Sequence, residues 1–357
     1  MSVHEAFRTF QTKVNADIET VREARRRRDV FRSAFCSEAD VVEVVPSGSL
    51  ARGTQKDPIH DVDLVIVYDG AAHTEWGQAG ESARAALDYV RGRVNALLGA
   101  TNGTHDQIVR LARWRNHAVK CFLDDPEDPA VFTVDAMPAL RFGDHLLIPE
   151  ALSDSWIECD PESLIATVAD RHAQWDKFAG AVRMLKRWAS DQDIKIKSLV
   201  MEVLALEHLP AEINQPGAVR QFFVAAAYSI DGHEVVTDPA GYCGPIQADL
   251  DYVEFAERLK AARDHANQAM QASANNDSDG ALWHWGRYSD RTFLMTRIRP
   301  SLPRRWYRCH VRSRTLRRGD HSTSASSLVR GRPTATATRS GRSATFRTGQ
   351  ESPPVSS

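Results

Sequence analysis

The spacing of apolar residues predicts a long helix at the start of the chain. Apolar side chains recur at steps of three and four residues from Val3 to Val21, which gives a helix one apolar face. The predicted helix covers residues 3–36 and includes the arginine run 25–28. Such a run favours a solvated helix face, and a role in holding a nucleotide or a partner is the alternative.

Short β-branched segments bounded by turn-forming residues predict a set of strands before residue 150. Strands are predicted at 41–46 and 64–68, and a helix at 75–98 follows them. Residues 118–123 and 131–135 are predicted to pair as a hairpin across an acidic, turn-forming loop. After Pro149 the apolar residues follow a helical period, and the predicted helices are 161–175, 176–190, 197–209, 216–228 and 249–273.

These patterns predict an α/β fold class in three parts. Residues 1–150 are predicted as a mixed-sheet α/β domain with the long N-terminal helix, and residues 151–300 as a mainly α-helical domain. Residues 301–357 are rich in Arg, Ser and Thr and show no apolar period, which predicts a disordered tail. The tail contains Arg without any Lys, which also fits a segment translated out of frame.

The overall net charge of −2 combines a basic tail with an acidic body. Residues 301–357 hold 12 Arg and two acidic residues, which leaves 33 basic and 45 acidic residues among the first 300. Phosphate neutralisation by Lys and Arg supplies most of the affinity of proteins for nucleic acids. The acidic body therefore disfavours long RNA or DNA as the main substrate.

Composition otherwise indicates a soluble globular protein, with 42% hydrophobic and 26% charged residues. The five cysteines are scattered and contain no C-x-x-C pair, which predicts neither a disulfide framework nor a zinc site. The N-terminus has no apolar leader, and no segment reaches the ~18 uninterrupted apolar residues of a membrane span. We therefore expect a cytoplasmic protein without a membrane partner.

Two acidic residues begin the second predicted strand. Side chains two residues apart on a strand point to the same face, so Asp61 and Asp63 present two carboxylates side by side. Two such anions repel each other unless a cation binds them, and Mg²⁺ binds through one or two carboxylates plus substrate phosphate oxygens. Taken alone, the pair also fits two solvated acids at a strand end.

Two further features strengthen the metal interpretation. The turn Ser47-Gly48-Ser49 follows a strand, which lets backbone N–H groups and a hydroxyl approach a phosphate closely. Asp135 ends a later apolar strand, where a buried carboxylate is costly unless it is paired or bound to a metal. On a neighbouring strand Asp135 would complete a cluster of three carboxylates able to hold two metal ions. Its alternative role is a cap on the following turn.

This arrangement resembles the DNA polymerase β-like nucleotidyltransferase superfamily. That superfamily combines a Gly-Ser turn, an Asp-x-Asp pair at a strand start and a later single Asp on a strand. The segments GSLARGT at 48–54, DVDLVIVY at 61–68 and FTVDAMPAL at 132–140 look most like the cyclic GMP-AMP synthase and oligoadenylate synthase branch, and more narrowly like the bacterial CD-NTases. The resemblance implies that 1–150 is the nucleotidyltransferase catalytic domain and 151–300 a helical nucleotide-binding domain.

Two helical segments extend the resemblance. RMLKRW at 183–188 resembles the R-x-x-K-x-W helix of that branch, and KSLVMEVL at 197–204 resembles its K-S-x-x-x-E helix start. The resemblance implies that Lys186 and Ser198 contact the nucleotide triphosphate, and a helix start at Ser198 would attract an anion. Otherwise they are a solvated helix residue and a plain N-cap. The closing segment typical of the family is not evident after Trp285.

The sequence therefore predicts a metal-dependent nucleotidyltransferase that uses two Mg²⁺ or Mn²⁺ ions. The predicted site residues are, for catalysis and metal binding, Asp61, Asp63 and Asp135, and, for nucleotide binding, Gly48, Ser49, Lys186 and Ser198. The resemblance implies that ATP, GTP or other nucleoside triphosphates are joined into a cyclic di- or oligonucleotide second messenger, with release of pyrophosphate. It also implies a role in bacterial anti-phage signalling and an effector that senses the product.

Three alternatives to this function stay open from the sequence. The enzyme could make a linear 2′–5′ oligonucleotide, or it could transfer a nucleotide to tRNA or protein, although the acidic body disfavours tRNA. A catalytically inactive nucleotide-binding regulator is the third. The choice of nucleotides, the linkage and the ring size depend on the shape of the pocket.

Overall fold

The computed structural model describes residues 1–78, 80, 82–99, 107–211 and 213–287. These residues fall within one compact unit, Met1–Arg299. The second unit, Pro300–Ser357, lies outside the described residues, and so does the predicted disordered tail. The domain boundary predicted at residue 150 stays a prediction.

The chain begins with two helices, so the single helix predicted over residues 3–36 is wrong. Helix α1 spans Val3–Val14 and helix α2 spans Ile18–Phe35. Asn15 between them has an extended backbone, and the Asp17 side chain caps the first turn of α2. Short polar side chains of this kind compete for backbone hydrogen bonds, which ends one helix and starts the next.

The two N-terminal helices pack into different apolar cores. Phe7 and Phe10 of α1 join the core of the helical half, whereas Phe31 and Phe35 of α2 pack against the sheet. The break between α1 and α2 is what allows both faces to be buried.

A mixed seven-stranded sheet forms the first half, in agreement with the predicted fold class. Its strands are β1 Val41–Ser47, β2 Asp61–Tyr68, β3 Leu111–Trp114, β4 Val119–Phe122, β5 Thr133–Phe142, β6 His145–Glu150 and β7 Ser155–Cys159. The order is β1-β2-β5-β4-β3, with β6 pairing β5 and β7 pairing β6. β2 and β5 run parallel, and the other pairs are antiparallel.

The predicted strands β1 and β2 and the antiparallel pairing of the predicted hairpin, which is β4 and β5, are confirmed. The predicted end of the second hairpin strand at residue 135 is wrong, because β5 continues to Phe142. β3, β6 and β7 were not predicted. A short helix, α3, spans Gly48–Ala51 directly after β1. Helix α4, Ser82–Leu98, starts later than residue 75 and buries Leu87, Val90 and Val94 against the sheet.

The second half is helical, as predicted. Its helices are α5 Pro161–Gln174, α6 Phe178–Ser190, α7 Ser198–His208, α8 Gln215–Asp231, α9 Tyr252–Ala274 and α10 Ser278–Arg287. Of these, α10 was not predicted. It carries Trp285, which is fully buried with its ring edge-on to Phe7 of α1 at 4.9 Å. Within the described part of the chain, no helix has the length and apolar character needed to cross a membrane.

Candidate active site

Four neighbouring strands bring a row of polar side chains to one level of the sheet. Ser47 of β1 is opposite Asp63 of β2, and Asp63 is opposite Asp135 of the parallel strand β5. Asp135 is in turn opposite Lys120 of β4. Asp61 lies two residues before Asp63 and so on the same face of β2. Asp135 thus lies on the strand next to the Asp-x-Asp pair, but it stands near the start of β5 and does not end a strand as the sequence predicted.

Gly48 brings the turn after β1 into direct contact with these carboxylates. Its backbone has a φ of +69°, a conformation that glycine adopts without steric cost. A Cβ atom at Gly48 would lie 1.7 Å from Asp63 Oδ2, far inside contact distance. The segment Gly48–Ser49 therefore lies against Asp63 only because residue 48 has no side chain.

The carboxylates in this row resist ionisation. Burial, followed by the negative charges of Asp61 and Asp135, raises the pKa of Asp63 to about 7, although Arg52 and Lys120 oppose the rise. Burial also raises the pKa of Asp135, because the Lys120 charge offsets only part of the effect. A bound cation would relieve both effects, so the row of carboxylates has the electrostatic character of a cation site.

These residues line a cleft of about 540 Å³ bordered by the sheet and by helices α6 and α7. All of the predicted site residues contribute to its lining, namely Gly48, Ser49, Asp61, Asp63, Asp135, Lys186 and Ser198. A cleft of this size falls in the range of small-molecule sites. The fold thus assembles in one place residues that are up to 150 positions apart in the sequence.

The acidic residues suit a divalent cation that binds together with phosphate. Asp135 Oδ1 is buried without a hydrogen-bond partner, and the Lys120 ammonium lies 3.9 Å from it. Among the described residues, no three His, Cys, Asp or Glu side chains are arranged to hold an ion by themselves. Mg²⁺ needs only one or two protein carboxylates when water and substrate oxygens complete its coordination shell. Asp61 and Asp63 can supply these carboxylates.

The two residues predicted from the helical segments differ in their surroundings. Ser198 is exposed at the first position of α7. The Lys186 side chain of α6 is only 2% exposed. Its ammonium donates hydrogen bonds to the Glu202 carboxylate and, at 3.3 and 3.0 Å, to the carbonyl and hydroxyl oxygens of Thr54. Lys186 thus lines the cleft while its ammonium is engaged by protein groups.

Solved structures share this architecture. The structure of E. coli MS115-1 CdnC with ATP matches with a TM-score of 0.64 at 18% identity, over 82% of this chain and 99% of that chain. The Bradyrhizobium diazoefficiens CD-NTase CdnG in complex with GTP matches with a TM-score of 0.58 at 12% identity, over 80% and 98% of the two chains. At these identities the likeness establishes a common fold.

The sequence comparisons point the same way. The curated protein "Cyclic AMP-AMP-AMP synthase" of Escherichia coli (strain MS 115-1) is 26% identical over 289 residues, which cover 76% of this chain and 83% of that protein. A family model described as "Nucleotidyltransferase domain" matches residues 28–98, where Gly48, Ser49, Asp61 and Asp63 lie. The chain is a nucleotidyltransferase with the CD-NTase fold. The resemblance drawn from the sequence is thereby confirmed.

The nucleotidyltransferase lines its cleft with further residues that sequence reasoning missed. The turn between β3 and β4 contributes Arg115, Asn116 and His117. His117 Nδ1–H donates to the Pro149 carbonyl oxygen at 2.9 Å, and Asn116 Nδ2 donates to His117 Nε2 at 3.0 Å. Both ring nitrogens are engaged, so His117 fixes the turn in place beside the carboxylates. Strand β3 is only four residues long, which left little pattern from which to predict this turn.

Arg52 and Glu202 are also part of the site of this nucleotidyltransferase. Arg52 lines the cleft, and its Nε donates to Glu202 Oε1 at 2.5 Å. Both residues stand inside the motifs GSLARGT and KSLVMEVL that carry the family resemblance. The sequence motifs therefore include both residues, whereas the hydrogen bond between Arg52 and Glu202, which are 150 residues apart, became visible only in the structure.

Proposed function

We propose that this nucleotidyltransferase joins nucleoside triphosphates into a cyclic di- or oligonucleotide and releases pyrophosphate. The observation that carries the proposal is the row of Asp63 and Asp135, with Asp61 on the same face, beside the segment Gly48–Ser49 in one cleft. The name of the curated relative, a cyclic AMP-AMP-AMP synthase, supports a cyclic product. A role in anti-phage signalling, a cytoplasmic location and an effector that senses the product belong to the same proposal and follow from the sequence predictions.

The segment after β1 would hold the triphosphate of the donor nucleotide. Gly48 and Ser49 offer backbone N–H groups and a hydroxyl at the edge of the carboxylate row. Ser198 opens helix α7 at the same cleft, where free N–H groups and the helix dipole favour an anion. ATP and GTP are the proposed substrates, because related structures hold ATP or GTP.

The carboxylates would hold two Mg²⁺ or Mn²⁺ ions. Asp61 and Asp63 would ligate both ions, and Asp135 would ligate the one on the side of the attacking hydroxyl, which requires the three carboxylates to move closer together than the described structure has them. Such ions supply the positive charge that lowers the pKa of the attacking hydroxyl and stabilises the leaving oxygen. The buried, unpartnered Asp135 Oδ1 and the raised pKa of Asp63 support this assignment, since both favour a bound cation.

The proposed reaction is an in-line displacement at the α-phosphorus of a nucleoside triphosphate. A ribose hydroxyl oxygen of the acceptor forms a bond to the α-phosphorus, and its proton passes to water. The bond from the α-phosphorus to the bridging oxygen breaks, and pyrophosphate leaves. Repetition of this step on the linear product, followed by closure, gives a ring.

Incubation of the full chain with all four nucleoside triphosphates tests the proposal. With Mg²⁺ or Mn²⁺ present, we expect pyrophosphate release and a product whose mass corresponds to joined nucleotides without a terminal triphosphate. The product should also resist phosphatase, because a ring has no terminal phosphate. A phosphatase-sensitive product would show a linear oligonucleotide instead. No pyrophosphate release with any triphosphate or ion would refute nucleotidyl transfer.

A further inference from the structure

A buried cluster of charged side chains lies at the cleft, where the turn after β1 meets helices α6 and α7. Glu202 of α7 is fully buried, and its carboxylate accepts hydrogen bonds from Lys186, from Arg52 Nε at 2.5 Å and from Thr54 Oγ1 at 3.0 Å. Burial alone would raise the pKa of Glu202, but the charges of Lys186 and Arg52 hold it below the usual range. The carboxylate is therefore ionised and is the anion that organises the cluster.

Lys186 has no N–H group left for a ligand. A lysine ammonium has three donors. In Lys186 they meet the Glu202 carboxylate, the Thr54 carbonyl oxygen at 3.3 Å and the Thr54 hydroxyl oxygen at 3.0 Å. Contact with a phosphate would require Lys186 to abandon one of these partners.

Arg52 differs from Lys186 because part of its guanidinium is unused. Nε donates to Glu202 Oε1 at 2.5 Å, and Nη2 reaches Glu202 Oε2 at 3.5 Å. A guanidinium carries five N–H donors, so the edge formed by Nη1 and the second Nη2 hydrogen stays available. Among the described residues nothing accepts a hydrogen bond from that edge, and Arg52 lines the cleft together with Ser49 and Asp63.

The charges of the cluster leave Arg52 incompletely paired with Glu202. Two cations, Arg52 and Lys186, share the one carboxylate of Glu202, and the charge of Arg52 also acts on Asp63. An arginine fixed along one edge by a carboxylate presents the other edge in a geometry that suits a phosphate. Arg52 directly follows the short helix that starts with Gly48 and Ser49, and it lines the same cleft as this segment, which is proposed to hold the triphosphate.

We propose that Arg52 donates hydrogen bonds to a phosphate of the bound nucleotide, and that Glu202 and Lys186 are positioning residues that hold Arg52 in place. The inference rests on the proposed function in taking a triphosphate as the ligand. Lys186 acts by balancing the Glu202 charge. The carboxylate, in turn, ties the segment that contains Arg52 and Thr54 to helix α7.

The substitution Arg52→Gln tests the inference without leaving a buried charge unpaired, because Lys186 still balances Glu202. The probe is inorganic tripolyphosphate with Mg²⁺, which has the phosphates of the substrate but no base or sugar. We expect Arg52→Gln to weaken tripolyphosphate binding to the full chain by at least about 10-fold, as measured by titration calorimetry. The control Arg220→Gln removes a partly buried arginine whose Nε bonds Asn267 outside the cleft, and it should bind within about two-fold of wild type.

A double variant separates Arg52 from Lys186. Lys186→Met with Glu202→Gln removes the ammonium and the carboxylate charge together, and the Gln carbonyl can still accept from Arg52. We expect this variant to keep tripolyphosphate binding within about five-fold of wild type. Binding lost as completely as in Arg52→Gln, in a double variant that still folds, would contradict the claim that Lys186 acts only by balancing the Glu202 charge and would overturn the inference.

The outcomes also separate this inference from the proposed function. Normal tripolyphosphate binding by Arg52→Gln, in a chain that turns over nucleoside triphosphates, overturns the inference alone. Weakened binding by Arg52→Gln, in a chain whose wild type releases no pyrophosphate, supports the inference and refutes the proposed function. A folded wild type that does not bind tripolyphosphate at all overturns the inference.

Discussion

Gly48 and Asp63 lie so close together that a Cβ atom at position 48 would be 1.7 Å from Asp63 Oδ2. Gly48 starts the segment after β1, and Asp63 belongs to the carboxylate row on β2. In the proposed mechanism this segment binds phosphate and the carboxylates bind the metal ions. The two can lie in contact only because residue 48 has no side chain. Four predictions follow from this and from other contacts of the described residues.

Gly48→Ala should abolish catalysis. The added Cβ collides with Asp63, and the φ of +69° is strained for alanine at a cost of about 1–3 kcal/mol. We expect pyrophosphate release to fall at least about 100-fold, because a small displacement of reacting groups has effects of this size. Gly53→Ala is the matched control, since Gly53 has a φ of +68° but nothing within 4 Å of an added Cβ. Equal losses in the two variants would show that backbone strain, and not the contact with Asp63, is responsible.

Asp63→Asn should stabilise the metal-free protein above neutral pH. Burial and the charges of Asp61 and Asp135 raise the pKa of Asp63 to about 7, so the native state binds a proton that the unfolded chain has already lost. The free energy of unfolding therefore falls as pH rises from about 4 to about 7. In chelator at pH 8 we expect Asp63→Asn to exceed wild type by about 2–4 kcal/mol in denaturant unfolding, and to equal it near pH 4.

The same experiment with Mg²⁺ checks the role of the carboxylate. A ligand that binds only the native state raises its stability. Mg²⁺ at pH 8 should therefore stabilise wild type more than Asp63→Asn. If Asp63→Asn has a higher free energy of unfolding than wild type at pH 8, and the difference is the same at pH 4, the result would contradict the raised pKa of Asp63.

Asp135→Asn should impair the chemical step while sparing substrate binding. Asp135 is one strand further than Asp63 from Ser47 and the phosphate-binding segment. We propose that it ligates only the metal ion next to the attacking hydroxyl. We expect kcat to fall by at least about 100-fold, with the Kd for Mg-ATP within about three-fold of wild type. Asp144→Asn, at an exposed carboxylate in the β5–β6 turn, is the control. A loss of Mg-ATP binding equal to the loss of kcat would place Asp135 in the donor site.

Phe7→Ala should destabilise the helical half. Phe7 is 1% exposed and packs edge-on against Trp285 at 4.9 Å, which joins helix α1 to helix α10. Truncation of a buried phenylalanine costs about 3–5 kcal/mol, and denaturant unfolding would measure it. Ile18→Ala, at a side chain that is 75% exposed on α2, should change the stability by less than about 0.5 kcal/mol. Similar effects of the two substitutions would mean that α1 does not pack into this core.

Much of the fold followed from local patterns. The β-branched segments at β1 and β2, the hairpin of β4 and β5 and the five helices from α5 to α9 each have a strong period or clear turn residues. The short strands β3, β6 and β7 lacked such a period, and helix α10 was not predicted. The break between α1 and α2 was missed because the apolar period continues through Asn15 and Asp17, and only packing into two cores reveals it.

The sequence by itself determined the candidate metal- and phosphate-binding groups, namely the Asp61–Asp63 pair, the Gly48–Ser49 segment and a lone Asp135. These could be recognised because strand periodicity and turn residues are local properties. Only the tertiary structure decided which of these groups meet. The parallel pairing of β2 with β5 sets Asp63 opposite Asp135, and the burial of Glu202 engages Lys186 and directs Arg52 to the cleft. Pairings over such separations depend on strand register and on the pairing of buried charge, and neither is encoded in any short segment.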